Sequence, residues 1–362
     1  MTLVRRDFGA LAAPGFFDGS VRRILELQRA DGSIPWYDGG VIDAWNHTHA
    51  AMGLSVAGCI EEAQNAYEFL ARSQLPDGSW WGQYGSAVPL DTNKYEGTGN
   101  EPRVRDTNYC AYPATGVLHH FLITRDRAFL DRMWPVVRAS IGFVLQHQSA
   151  HGEIRWSAPD PATPQDDALL AGSSSIHKSL ECAIRLGELV GEDTRAWRHA
   201  RARLGDAVRS KPHRFDRQWE KKDYFSMDWY YPVLAGVYRG AAGRARLNSR
   251  WDEFVTEGKG CRCVLKQPWV TIAESCELAL ALIGVGETRK ARELWDSQHQ
   301  WRDADGAYWM GWQYESNVPW PHEKPAWTSA AVLIAADALA GTTPAARILC
   351  DVTLPDPAQQ PQ

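Results

Sequence analysis

Four acidic residues stand in largely apolar surroundings, three of them close to aromatic or amide side chains, namely Asp43 in VIDAWNH, Asp106 in VRDTNYCAY and Asp228 in SMDWYYP; the fourth is Glu274 in VTIAESCE. Hydrolysis of a glycosidic bond needs two carboxyl groups on opposite sides of it. One protonates the leaving oxygen; the other activates water or attacks the sugar. Glu274 lies between Ala273 and Ser275 on a largely apolar stretch, where loss of solvent raises a carboxyl toward the pKa of a usable acid. Asp43 is followed by Trp45 and Asn46, so an acid, a stacking ring and an amide fall within one helical turn. These two form the expected acid/base pair. Asp106 with Asn108 and Tyr109, and Asp228 with Trp229 and Tyr230, read as groups that grip a substrate. Glu277, one turn beyond Glu274, reads as a structural carboxyl. A plainer role competes in each case, since acids at helix starts cap free N–H groups and complement the dipole.

Tryptophan is abundant, with 17 copies in 362 residues, and it stacks well on the flat faces of sugars. Trp36, Trp45, Trp81, Trp229, Trp312 and Tyr314 are expected to do so, with Asn46, Tyr109, His177 and Trp327 completing the binding set. Packing competes here as well: Trp36, Trp80, Trp81, Trp156, Trp309, Trp312 and Trp320 all sit in turns they could lock. His47, His49 and His177 fit the commoner part of satisfied polar residues. Asp166 and Asp167, in the loop PDPATPQDDALL, are expected in solvent. No His and carboxylate recur at ligand spacing on one helix, so neither metal nor cofactor is expected.

The elements that must carry these residues follow from a repeat. A helix ends in Gln, a turn forms on Asp-Gly or Gly, an aromatic cluster follows, and a second apolar helix begins. The clear copies are LQRADGSIPWYDGG (27–40), SQLPDGSWWGQYG (73–85), HQSAHGEIRWSAP (147–159) and HQWRDADGAYWMGWQY (299–314); weaker ones lie at 215–231 and 258–269. First helices are expected over roughly 16–28, 60–73, 127–147, 194–211, 245–257 and 287–299, and second helices over roughly 42–57, 107–123, 174–190, 228–239, 270–284 and 326–340. Apolar residues recur at three- and four-residue spacing in most of them. The second helices, such as ESCELALALIGVG, are apolar on most sides and belong inside; the first, such as EEAQNAYEFLARSQ, suit an outer ring. Six such hairpins close into an all-α (α/α)6 toroid over residues 1–341, with the starts of all inner helices at one mouth. Residues 342–362, ending PDPAQQPQ, read as a loose tail.

Composition excludes several classes. A net charge of −5 without a Lys/Arg run among aromatics argues against nucleic acid. No stretch of about 18 apolar residues provides a membrane span. The N-terminal MTLVRRDFGALAAPGFF lacks a long apolar signal region, which points to a cytoplasmic protein. Seven scattered Cys read as reduced, buried thiols.

Two resemblances enter at this point. The Gln-Gly-Trp turns resemble the QW repeats of terpene cyclases and protein prenyltransferases, but the D-x-D-D acid motif is missing and the prenyltransferase zinc ligands do not assemble. The stretches DTNYCAYPATGVLHHFLITRDRAFLDRMWPVVRASIGFVLQHQ (106–148) and YESNVPWPHEKPAWTSAAVLIAADAL (314–339) are similar to glucoamylase-like members of the six-hairpin glycosidase superfamily. Those enzymes place a Glu base ahead of the last inner helix, which the resemblance maps to Glu315. Their acid follows a Trp after the fifth helix; here Trp156 is followed by Ser157, so that acid has not been kept. Within the superfamily the chain also resembles the actinobacterial methylmannose polysaccharide hydrolases, which cleave internal α-1,4-mannosidic links.

The expected function is therefore hydrolysis of an α-linked hexose oligo- or polysaccharide, mannoside ahead of glucoside, by inversion. Asp43 and Glu274 are the expected pair and Glu315 a competing base. The rivals are an isoprenoid cyclase or prenyltransferase, which would need a diphosphate-binding basic patch, and a non-catalytic carbohydrate-binding toroid, in which Arg or Lys would neutralise every carboxylate at the mouth.

Overall fold

The repeated glutamines tie the molecule together. Gln28, just after α1 (Asp18–Leu27), donates through Nε2 to the carbonyl of Gly32 in its own turn and to that of Glu62 in α3 (Ile60–Ser73). Gln74 joins Gly78 to Val136 of α6 (Arg127–Gln146), and Gln148 joins Gly152 to Ala200 of α8 (Arg195–Ser210). Each bond satisfies backbone groups that a buried turn would otherwise strand. The turn glycines explain the other half of the motif. Gly32, Gly78 and Gly152 have φ of +85°, +89° and +107°, and a Cβ on any of them would drive within 2.4 Å of a backbone oxygen of the next outer helix. Each turn therefore docks on the hairpin that follows it.

The sixth turn does the same to the first hairpin. Arg302 Nη2 donates to the Phe16 carbonyl at 2.8 Å, and Gly306 packs so closely on Gly19 that neither could carry a side chain. The computed structural model describes residues 8–85, 104–158, 166–218 and 220–354, and these form six hairpins in two concentric rings. The outer ring continues with α10 (Gly240–Ser249) and α13 (Thr288–Ser297). The inner ring is α2 (Ala44–Ala57), α4 (Thr107–Ala111) with α5 (Pro113–Thr124), α7 (Leu170–Val190), α9 (Ser226–Leu234), α12 (Ile272–Gly284) and α14 (Ala326–Ala340). Each inner helix packs on the next, and α14 returns to α2. A Cβ on Gly53 would lie 2.7 Å from the Ala330 Cβ, so a glycine lets α2 and α14 approach and close the ring.

Two departures from the sequence reading have local causes. The fifth outer helix stops at Ser249 instead of running to about 257. Trp251 and Phe254, in the short α11 (Trp251–Phe254), turn inward onto Trp229, with ring centroids 6.3 and 5.3 Å away. The chain then forms strands where a weak turn copy was expected. β3 (Val255–Thr256), β4 (Gly260–Arg262), β5 (Trp269–Thr271), β6 (Gly311–Gln313) and β7 (Val318–Pro319) make an antiparallel sheet beside the start of α12. A second, two-stranded sheet pairs β1 (Arg105–Asp106) with β2 (Ser157–Ala158).

The segment after residue 341 is not loose as far as Leu354. Ala345, Ala346, Leu349 and Cys350 are buried, because AARILCDVTL supplies apolar residues ahead of the Pro/Gln-rich end; residues 355–362 of that expected tail lie outside the described ones. A buried ionic cluster fixes the segment. Glu181 accepts from Arg201 at 2.6 Å, from Lys178 at 3.3 Å and from the backbone of Thr353, while Lys178 and Arg201 also donate to the carbonyls of Asp351 and Leu354. Glu181→Ala strands two buried cations, and is expected to cost about 3–5 kcal/mol. The fall would be read as a lower denaturant midpoint.

Candidate active site

The inner helices begin around one hollow, and their first residues differ in how they meet it. Asp43 is the N-cap of α2 and is wholly buried. Its Oδ1 accepts the Asn46 amide at 2.7 Å, and its Oδ2 accepts the Trp36 indole at 2.6 Å and the Asn46 side chain at 2.7 Å. Burial raises its carboxyl while these donors pull it down. With no exposed surface it cannot touch a sugar, so the structure corrects the expectation that Asp43 is half of the acid/base pair. It holds Trp36 and Asn46 in place, and Trp36 in turn meets Trp327 edge-on at 5.4 Å.

Asp106 caps α4 differently. Oδ1 accepts the amides of Asn108 at 2.8 Å and Tyr109 at 3.1 Å, while Oδ2 has no donor among the described residues. Burial pushes its carboxyl up to about 7, against the pull of the two amides, and the neighbouring Asp43 charge adds to the rise. Asp228 in the first turn of α9 accepts the Ala171 amide at 3.2 Å; burial, then the charge of Asp216, pushes it to about 7. Asp106 and Asp228 line one cavity of about 300 Å³, with Trp45, Tyr109, Trp156 and Met227 among its other walls. Trp156 reaches it because Asp106 pairs with Ser157 across the β1–β2 ladder.

Glu274 opens α12 and keeps accessible surface. The Cys263 thiol hydrogen-bonds it. Counting around the inner ring, the hairpins of Asp106 and Glu274 are three apart in six, that is, on opposite sides. Between them Trp45 packs against Tyr109, Tyr112 and Tyr231 at centroid distances of 5.5–5.9 Å. Tyr230 and Tyr231 both donate at 2.5 Å to Glu277. Burial carries Glu277 up to about 7 against these two hydroxyls. The reading of Glu277 as structural thus extends to a clamp on two consecutive tyrosines.

Other expected residues lie elsewhere. Glu315 is exposed on the turn between β6 and β7, ahead of the last inner helix, and is not among the walls of the Asp106 cavity. Trp229 is core: it stacks on Phe254 and donates to the Arg246 carbonyl at 2.8 Å. His177 is buried against the Ala235 carbonyl and has no surface for a ligand. Asp167, expected in solvent, is buried and accepts the amides of Ala168, Arg217 and Gln218; Asp166 is exposed. Trp81, Trp312 and Tyr314 are half-buried outside the cavity walls. Arg105 lies 6.0 Å over Trp81, Trp301 stacks on Trp312 at 4.8 Å, and Lys259 and Arg262 lie over Tyr314. The sequence reading missed Phe225, Met227 and the N-terminal turn of α7 as cavity walls, because apolar residues there look like any other core face.

Among the described residues no Lys or Arg pairs with Asp43, Asp106, Glu274 or Glu277, no group of His, Cys, Asp and Glu could hold a metal ion, and no helix is long and apolar enough to cross a membrane. The first observation counts against a toroid whose mouth is fully neutralised.

Comparison with known proteins agrees with this architecture. No family model matches the chain. It is 45% identical over 336 residues to the MMP endo-(1,4)-3-O-methyl-α-D-mannosidase of Mycolicibacterium hassiacum, covering 93% of this chain and 89% of that one. Among solved structures, a glycosidase superposes with a TM-score of 0.67 at 13% identity, covering 91% of this chain and 96% of the other. The GH63 mannosylglycerate hydrolase of Thermus thermophilus gives 0.61 at 13%, covering 88% and 99%, and a D-mannose isomerase 0.64 at 10%, covering 93% and 100%. At such identities the structures attest the shared toroid; that they include an isomerase shows the fold does not dictate the reaction.

Proposed function

The chain belongs to the family of the endo-(1,4)-3-O-methyl-α-D-mannosidase and is a glycoside hydrolase; from that premise we propose that it cuts within α-1,4-linked mannose chains by inversion, with Asp106 as general acid and Glu274 as general base. The observation that carries this assignment is the cavity-facing Asp106 carboxyl. Lifted to about 7 by burial, it keeps its proton far closer to neutral pH than an ordinary carboxyl does, and it has an oxygen from which to give it. Asp43 lies behind it, engaged by its own donors, and its charge helps keep that proton in place.

The sugar sits against Trp45, whose ring lines the cavity beside Asp106. Asp106 protonates the glycosidic oxygen as the bond to the anomeric carbon breaks. Water enters from the opposite face and loses a proton to Glu274. The products are a hemiacetal of inverted configuration and a sugar with a free 4-hydroxyl; the two carboxyls return to their starting states by exchange with solvent. Inversion needs carboxyl groups roughly 6.5–9.5 Å apart to admit that water, against about 5–5.5 Å for retention. Glu274 lies three hairpins away around the ring and outside the walls of the Asp106 cavity, so the anomer formed first is what tells the two courses apart.

The test is digestion of 3-O-methylated and unmethylated α-1,4-mannooligosaccharides, followed by NMR from the first minutes. The expected result is internal cleavage with the β-anomer appearing first. Initial α-anomer overturns inversion, and no cleavage of either series overturns the substrate assignment.

A further inference from the structure

The five-stranded sheet carries aromatic residues on both faces, and they are used differently. Residues opposite one another in register share a face, and successive residues alternate. Val270, Trp312 and Pro319 lie opposite one another across β5, β6 and β7. Val270 is fully buried there and Trp312 stacks on Trp301, so this face belongs to the packing of the toroid. The other face carries the row Trp269, Gln313 and Val318, with Gly311 and Trp320 two residues along their strands.

On that second face the aromatic surface is open. Trp320 is 59% exposed and Val318 45%; among the described residues the one other large apolar side chain left so far in solvent is Leu189, at the C-terminal end of α7. Trp269 is half-buried and lies across Gly311, where a Cβ would fall 2.3 Å from its indole nitrogen and 2.8 Å from its Cε2. The same indole N–H donates to the Trp320 carbonyl. The glycine gives the ring a bed and the hydrogen bond fixes it there, so the indole is in place before any ligand arrives. Gln313 beside it commits Oε1 to the Ser316 amide and leaves its NH2 without an acceptor among the described residues. A fixed indole with an amide donor at its edge suits a sugar, which offers C–H groups to a ring face and hydroxyls at its rim.

Position selects the occupant. β5 runs without a break into α12, whose first turn carries Glu274, and Cys263, directly after β4, hydrogen-bonds that carboxyl. A chain cut at an internal link must run on past the reacting groups, and this sheet borders one of them. A second copy of the protein fits poorly. A stable interface takes roughly 800 Å² from each partner, far more than two indoles and a valine supply. From these observations we infer that the Trp269–Trp320 face of the sheet is a platform for the distal sugars of a polysaccharide, with the two indoles stacking on sugar rings and Gln313 donating to a hydroxyl. This rests on the reading of the chain as a hydrolase of internal links and goes beyond it by placing a sugar-binding surface outside the cavity.

The test is calorimetric binding of uncleavable, sulfur-linked α-1,4-mannose chains, a trisaccharide and a decasaccharide, to the full chain and to Trp320→Ala. The decasaccharide is expected to bind the unaltered protein about tenfold tighter than the trisaccharide. Trp320→Ala is expected to remove most of that advantage without lowering the thermal midpoint, because the side chain stands mainly in solvent. Equal affinity for the two lengths, an advantage that survives in Trp320→Ala, or no binding of either chain overturns the platform. So does a sedimentation coefficient that falls in Trp320→Ala, which assigns the face to self-association. Should the length advantage depend on Trp320 while an oxygen-linked decasaccharide is not cut, the platform stands and the hydrolytic reading falls; cutting without a length advantage decides the other way.

Discussion

Glu274→Gln is expected to lower kcat on an α-1,4-mannooligosaccharide about a thousandfold, with KM changed by no more than a few-fold. Glutamine keeps the size of the side chain and can still accept from Cys263, so α12 and the sugar-binding surface persist while the means of deprotonating water is lost. The loss is the same whether the leaving group is a sugar or a good aryl leaving group, because water must be activated in either case. Glu315→Gln serves as the contrast. On its exposed turn it is expected to leave kcat within about twofold, as surface substitutions usually do. Steady-state kinetics on both substrates decides; a Glu315→Gln loss equal to that of Glu274→Gln would move the base to the β6–β7 turn.

Asp106→Asn is expected to cost about a hundred- to a thousandfold on the natural linkage and far less on an aryl glycoside, whose leaving group needs no proton. The pH profile carries the sharper signature. Asp106 titrates near 7; it holds its proton below that pH and surrenders it above. Activity therefore falls as pH rises through about 7, and in Asp106→Asn this alkaline limb disappears. Asp43→Asn tests the residue behind it. Asparagine caps a helix as well as aspartate, so α2 should survive, but the negative charge that helps raise Asp106 is gone. The limb then moves to lower pH. A merely structural role for Asp43 would lower activity at every pH and leave the limb where it was.

The toroid was legible in the sequence because its marks are structural. The Gln and Gly of each turn are fixed by contacts to the next hairpin, and the inner helices are apolar on nearly every side. The acids at the helix starts were legible too. What could not be read was which of them faces the hollow. Asp43 and Asp106 look alike as caps, and only the positions of Trp36 and the Asn46 side chain, which use up Asp43, separate them. Trp229 misled for a similar reason: next to Asp228 in sequence, it points the other way, into the packing of Phe254. The sheet escaped notice because strands of two or three residues are too short to show alternation.

The docking of the last turn onto the first hairpin has a consequence for how the molecule assembles. Arg302 and Phe16 are separated by 286 positions, so during synthesis the opening hairpin waits with its flank uncovered until nearly the whole chain has emerged. An open solenoid can gain or shed a terminal repeat at small cost. Here, trimming either terminus would bare surfaces at both ends of the circle, and the circle should melt as one body instead of fraying from its ends.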